Sequence, residues 1–369
     1  MFSSLHNLDL TFLASSGRIV DINLIIHMSG ITFKPKAVSK KLLTTLNPRT
    51  REIVINRYGL EKENRMTLEA IGKTYDITRE RVRQIENFAL ASVKKSKEYK
   101  EHLFVFEELK KTIAELGSVV SEDHLMRHIS KDPVIQNHIN LYLALGEDFK
   151  KHKEDDHFHA HFTTNDTTAM HVREALTKLY GSINEEDLVS EEEIFGRFMG
   201  HLTELLTEYK DNKDIIYRYL ALSKVIGKNQ LSEWGRTSSP HVKARGIKDY
   251  AYLIMRRANR PMHFKEVAEE INKTFGKKAH VATCHNELIK DARFVLVGRG
   301  MYGLKDWGHT GGVVRDVITE VLKEASRPLP KDEVIKRVLA KRIVKPNTVL
   351  VNLQNTKHFR KVAGEYTLA

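Results

Sequence analysis

The last third of this 369-residue chain is written twice. Ala258-Asn259-Arg260-Pro261 with Glu266-Val267 recurs as Ala325-Ser326-Arg327-Pro328 with Glu333-Val334, an offset of 67. Thr283, Leu288 and Phe294 recur as Thr348, Leu353 and Phe359 at 65, and Gly300-Met301-Tyr302-Gly303-Leu304 recurs as Gly364-Glu365-Tyr366-Thr367-Leu368 at 64. An offset drifting by only three residues means one small module copied with loop deletions. The first copy reads as helices over 248–258, 264–273 and 281–291, then strands over 294–297 and 301–304 joined at Gly298-Arg299-Gly300. Three helices and a two-strand wing make a winged helix.

The same pattern runs upstream more faintly. Residues 168–236 give a helix to Tyr180, a capping box Ser190-Glu191-Glu192-Glu193, a helix near 213–223 and a wing over 225–226 and 230–235. Their ending, Leu231-Ser232-Glu233-Trp234-Gly235, echoes Leu304-Lys305-Asp306-Trp307-Gly308. Residues 104–163 repeat it loosely, with helices over 104–116, 121–130 and 134–145 and strands over 149–153 and 158–162. Residues 1–40 have no clean period and read as a weakly structured leader, and 41–100 read as a helix-turn-helix. Winged-helix modules are then expected over 101–165, 166–240, 241–309 and 310–369, the last one degenerate, in a mainly α fold with small β wings.

The helix-turn-helix is spelled out by its punctuation. Asn47-Pro48 places a good N-cap before a residue favoured at the first helical position, opening a helix that carries Ile53, Val54 and Tyr58 and ends at Gly59. A second helix starts near Thr67 with Leu68 and Ile71 inward, Tyr75-Asp76 turn the chain, and Thr78 caps a third helix toward Lys97. At about 100° per residue from Arg79, Val82, Ile85 and Ala89 gather near 240–300° while Arg79, Glu80, Arg83, Gln84 and Asn87 gather between about 0° and 140°. Arginine takes guanine O6 and N7, glutamine takes adenine and glutamate accepts from cytosine, so this polar face carries the chemistry of a recognition helix in a major groove.

The run Asn47-Pro48-Arg49-Thr50-Arg51-Glu52, Arg57-Tyr58-Gly59-Leu60, Met66-Thr67-Leu68-Glu69-Ala70-Ile71-Gly72 and Ile77-Thr78-Arg79-Glu80-Arg81-Val82-Arg83-Gln84-Ile85-Glu86 resembles region four of the primary bacterial sigma factors, over about residues 45–98. The resemblance implies contacts from Arg79, Glu80, Arg83 and Gln84 to bases of a promoter −35 element. Arg81, together with Arg83, helps hold the duplex, and phosphate contacts fall at Arg57, Thr67, Leu68 and Glu69. The sequence departs at Asn87-Phe88, where the family commonly has a basic residue. With about 45 residues ahead of region four, the chain is not expected to melt promoters by itself. Residues 243–308 closely resemble the HARE-HTH module, known from the delta subunit of RNA polymerase and from some chromatin and restriction proteins, and 311–369 resemble it more weakly.

Charge points the same way. There are 60 Lys and Arg against 48 Asp and Glu, net +12, distributed as +8 over 1–100, −9 over 101–240 and +13 over 241–369. Such a balance suggests a polyanionic partner at the two ends. Lys94 and Lys95 are candidate backbone contacts beyond the recognition helix, and Arg299, Lys345, Lys357 and Arg360 are candidate wing contacts. The acidic runs at 154–156, 185–187 and 191–193 read as exposed loops and helix starts.

Other chemistry is thin. His152, His157, His159 and His161 cluster without a cysteine and read as the edge of a hairpin, with no metal expected. The one cysteine, Cys284, excludes an internal disulfide framework, fits a reducing compartment and reads as a small buried residue. No phosphate loop, nucleophile constellation or paired-carboxylate motif is present, so no enzyme and no cofactor are expected. The stretch 19–31 is broken by Asp21, Asn23 and His27, and Met1-Phe2-Ser3-Ser4 lacks a signal peptide's basic start. The chain reads as a cytoplasmic transcription regulator whose partners are double-stranded DNA and bacterial RNA polymerase core, with no membrane. The alternatives are a polymerase-associated interaction subunit that does not read DNA, or the recognition component of a restriction or repair system.

Overall fold

The computed structural model describes residues 31–202, 212–308 and 312–369. Most of the expected leader lies outside them, but its end does not. Residues Pro35–Leu42 form a helix (α1), with Val38 and Leu42 buried and Ser39 buried beside them. This corrects the reading of 31–40 as weakly structured. What orders α1 is distant: the Ser39 hydroxyl lies 2.8 Å from Tyr142 Oη and 2.8 Å from His138 Nδ1, a network about a hundred positions away that local periodicity cannot reveal.

The helix-turn-helix follows as Pro48–Tyr58 (α2), Leu68–Tyr75 (α3) and Arg79–Lys94 (α4). Each cap works as its residue type dictates. Asn47 accepts from Thr50 N, Thr67 from Ala70 N and Thr78 from Arg81 N, while Gly59 closes α2 at φ +65°. Gly72 is fixed by space, since a Cβ there would sit 2.6 Å from the Ile77 carbonyl. Ile77 N donates to Gly72 O at 2.9 Å, closing the turn between α3 and α4.

Region four has two apolar faces. Ile53, Ile71 and Val82 form its own small core with Leu68, Tyr75 and Ile85 packed around them. Val54, Leu60, Ala89 and Val93 belong to a second, larger core shared with residues of 105–162. The helix-turn-helix and the segment after it are thus packed as one body, where the sequence suggested a boundary at 100/101.

That segment runs Leu103–Glu115 (α5), Val119–Ser121 (β1), Glu122–Ile129 (α6), Pro133–Leu145 (α7), Lys150–His152 (β2) and His161–Thr163 (β3). β3 lies between β1 and β2, antiparallel to both. The same order of elements recurs from 166, as helices Asp166–Ser182, Glu191–His201 and Lys213–Leu220, with Val189 bridged to Trp234 in the strand position. Two compact units divide the chain inside this stretch: one holds residues up to 183 with 192–227, the other 184–191 with 228–369.

The duplicated module is seen twice within the second unit. The first copy has Ile247–Ala258 (α8), Met262–His263 (β4), Phe264–Phe275 (α9), Val281–Lys290 (α10), Phe294–Gly298 (β5) and Met301–Leu304 (β6). The second has Val314–Ala325 (α11), Lys331–Lys341 (α12), Pro346–Leu353 (α13), Phe359–Val362 (β7) and Glu365–Leu368 (β8). Their details repeat as well. Asp249 and Asp316 each accept a backbone N–H three residues back, Asn259 and Ser326 end the first helix at positive φ, and Arg260–Glu266 and Arg327–Glu333 form equivalent ion pairs. Met262 pairs with Tyr302, and Leu329 with Tyr366. The fold is mainly α, a helix-turn-helix followed by tandem winged helices with small β wings.

Candidate nucleic-acid interface

On α4 the two faces separate cleanly. Val82 and Ala89 are fully buried and Ile85 half-buried, while Arg79, Glu80, Arg81, Arg83 and Gln84 are all exposed. These side chains hold each other in the free protein. Arg83 Nε donates to Glu80 Oε2 at 2.9 Å and Arg83 Nη2 to Glu80 Oε1 at 2.6 Å, and Arg81 Nη1 donates to Gln84 Oε1 at 3.1 Å. The bond from Arg83 holds the Glu80 carboxyl below its usual range, and Glu80 in turn raises the Arg83 guanidinium. Both remain ionised at neutral pH, and the pair is exposed enough for a base edge to exchange in.

The expected backbone contacts fall into two kinds. Thr67 spends its hydroxyl on the cap of α3, and Leu68 and Glu69 lie in that helix's first turn, where N–H groups lack intrahelical partners. The Leu68 side chain turns inward, and Glu69 is exposed. Arg57 is partly buried and committed: its Nε reaches Glu86 Oε2 at 3.2 Å and its Nη1 the Met66 carbonyl at 3.3 Å. At the far end of α4, Lys94 is half-buried and Lys95 exposed.

Sequence reading missed the residue that fixes this surface from behind. Asn137 on α7 donates to the carbonyls of Gly59, Lys62 and Glu63 at 3.0–3.2 Å and accepts from Arg65 Nε at 2.6 Å. It clamps the loop that aims α3. α7 is the third helix of the first winged module, and Asn137 through Leu143, with Leu145, are buried. That helix has no open face with which to read a ligand. The only sequence signal was its high apolar content, which fits any core helix.

In the C-terminal modules Arg299, Lys345, Lys357 and Arg360 are all exposed. Arg299 sits at a wing turn beside Gly300, which takes φ +69°. Wing and neighbour are stitched together: Ile343 N donates to Val297 O at 2.8 Å, and Arg342, itself buried, donates to the carbonyls of Leu296 and Gly312. Arg299 and Lys345 each lie two residues from this stitch. In the sequence Arg342 is one more cation of a basic stretch, and nothing there sets it apart as a buried tie.

The histidines pair instead of converging. His152 and His161 stack at 4.8 Å, His152 Nε2 lies 3.5 Å from Asp166, and His157 packs edge-on to Tyr180. Among the described residues no group of three or more His, Cys, Asp or Glu is placed to hold a metal. Cys284 is buried, and burial pushes its thiol up to about 11. Among the described residues no helix is long and apolar enough to cross a membrane.

An exposed Arg/Glu/Gln face on the helix after a tight turn defines the helix-turn-helix class. Residues 42–95 match the family sigma-70, region 4, and residues 245–307 match HARE-HTH, the HTH domain family described from ASXL and restriction endonuclease proteins. This chain therefore carries a sigma region four and a HARE-HTH module. Its region four is 42% identical over 66 residues to RNA polymerase sigma factor SigA of Clostridium acetobutylicum (17% of this chain, 18% of that one). It is 47% identical over 53 residues to sigma factor SigA1 of Synechococcus elongatus (14% and 13%), and 46% over 54 to principal sigma factor HrdD of Streptomyces coelicolor (15% and 16%). The chain thus spans less than a fifth of the length of these relatives.

Proposed function

We propose that this protein is a cytoplasmic, sequence-specific DNA-binding transcription regulator that acts at promoters together with RNA polymerase and is not an enzyme. The observation that carries the reading is the exposed set Arg79, Glu80, Arg83 and Gln84 on the face of α4 opposite Val82 and Ala89. It supplies donors for guanine and adenine and an acceptor for cytosine. The names of the relatives, RNA polymerase sigma factors, support the polymerase partner and a −35-like target. The covering of Val54, Leu60, Ala89 and Val93 by the protein's own core supports reading over docking, since the polar face is the one left open. Arg57, Thr67, Leu68, Glu69, Arg81, Lys94 and Lys95 hold the backbone around that reader. Selection of duplexes from a random pool by the full chain should return one −35-like motif; recovery of unselected sequence would contradict the reading.

A further inference from the structure

The third helix of the last module, α13, is the chemical opposite of α4. Taking Asn347 as zero at about 100° per residue, Gln354 just past the helix end, Val351 and Thr348 fall at about 340°, 40° and 100°. The buried Val349 and Leu353 fall at about 200° and 240°. All four residues of the first set are exposed, Val351 by 59%. The open face therefore carries two amides, a hydroxyl with its methyl, and a branched apolar side chain, and it has no charge.

Its surroundings are cationic. The acids of helices α11 and α12 are taken by ion pairs: Asp316 with Arg315, Glu320 and Glu324 with Lys341, Asp332 with Lys331, and Glu333 with Arg327 and Arg337. Flanking α13, Lys345, Lys357 and Arg360 are exposed, and the one acid from 343 onward is Glu365. Cations at both ends with a neutral face between them is the arrangement of a helix held by phosphates and touching bases through uncharged groups. Asparagine and glutamine pair with adenine N6 and N7, and valine and threonine methyls pack on the thymine methyl. Arginine, the usual partner of guanine, is absent from this face.

We infer that α13 is a second reader, selective for A·T base pairs in the major groove. This rests on the reading that the chain binds duplex DNA, and it is independent of which sequence α4 prefers. The test measures affinity of the full chain for duplexes with one selected −35-like element flanked by only A·T or only G·C pairs. The A·T flank should bind about tenfold tighter, and replacing its thymines by deoxyuridine, which removes the methyl, should lower that gain. Asn347→Ala with Gln354→Ala should erase the flank preference, and Asn347→Arg should move it toward G·C. Lys345→Ala should weaken binding to both flanks alike. Equal affinity for the two flanks overturns the inference. So does a preference that survives Asn347→Ala/Gln354→Ala, because it would come from duplex shape and not from this helix. Arg83→Ala separates the two readers: it should lower discrimination for the element and leave the flank preference intact. A parent chain that prefers A·T flanks but ignores the element would contradict the function of α4 alone, and a chain that binds no duplex would overturn both.

Discussion

Helices α4 and α7 occupy equivalent positions, each the third helix of a three-helix unit, and their surroundings give them opposite uses. α4 buries Val82 and Ala89 and leaves five charged or amide side chains in solvent. α7 is buried along nearly its whole length and turns its one well-placed amide, Asn137, onto the loop that positions α3. Topology alone would have made both recognition helices. What decides is whether the protein itself occupies the outer face, and in the first winged module it does. A fold that elsewhere reads ligands here serves as the bed on which the reader lies.

The sharpest way to break that comparison is to cut the tie between bed and reader. Asn137→Ala leaves three loop carbonyls and Arg65 without their partner in a buried site, and should lower unfolding stability by about 3 kcal/mol, read by denaturant unfolding. An unchanged midpoint would mean that the loop is held by something else. Gly72→Ala puts a methyl into the Ile77 carbonyl at the turn of the reader itself and should cost about 1–3 kcal/mol. It should also lower discrimination between matched and scrambled duplexes without altering any base-facing side chain. If Gly72→Ala is neutral in both measurements, the tight approach of α3 to α4 does not set the reader's geometry. The smallest effect is expected at the end of α4, where Lys94→Ala and Lys95→Ala should each shallow the salt dependence of binding by about one unit, equally for all sequences. A steep, unchanged slope would place these lysines away from the backbone.

Local chemistry made much of this legible in advance. Asn47, Thr67 and Thr78 announce three helix starts because their short polar side chains satisfy N–H groups a few residues ahead, and the wing residues of the third module fall on observed strands. What escaped was set by partners far along the chain. α1 is ordered by Tyr142 and His138, Arg57 is drawn to Glu86 twenty-nine positions on, and Asn137 reaches back over seventy. The sequence drew the first winged module as a separate domain because nothing in Val54, Leu60, Ala89 or Val93 says which core they join. The same blindness covered α13, whose face carries no charged signature and acquires meaning only when its exposed residues are seen together.

The central claim is that base discrimination resides on the open face of α4. Its most direct test is a comparison of the sequences selected from a random duplex pool by the full chain and by its Arg79→Ala and Gln84→Ala variants. Each substitution is expected to relax preference at one base pair of the −35-like motif, a loss of about 1–3 kcal/mol there, with the remaining positions unchanged. Variants that select the parent's motif with undiminished discrimination would contradict the assignment of α4 as the reader.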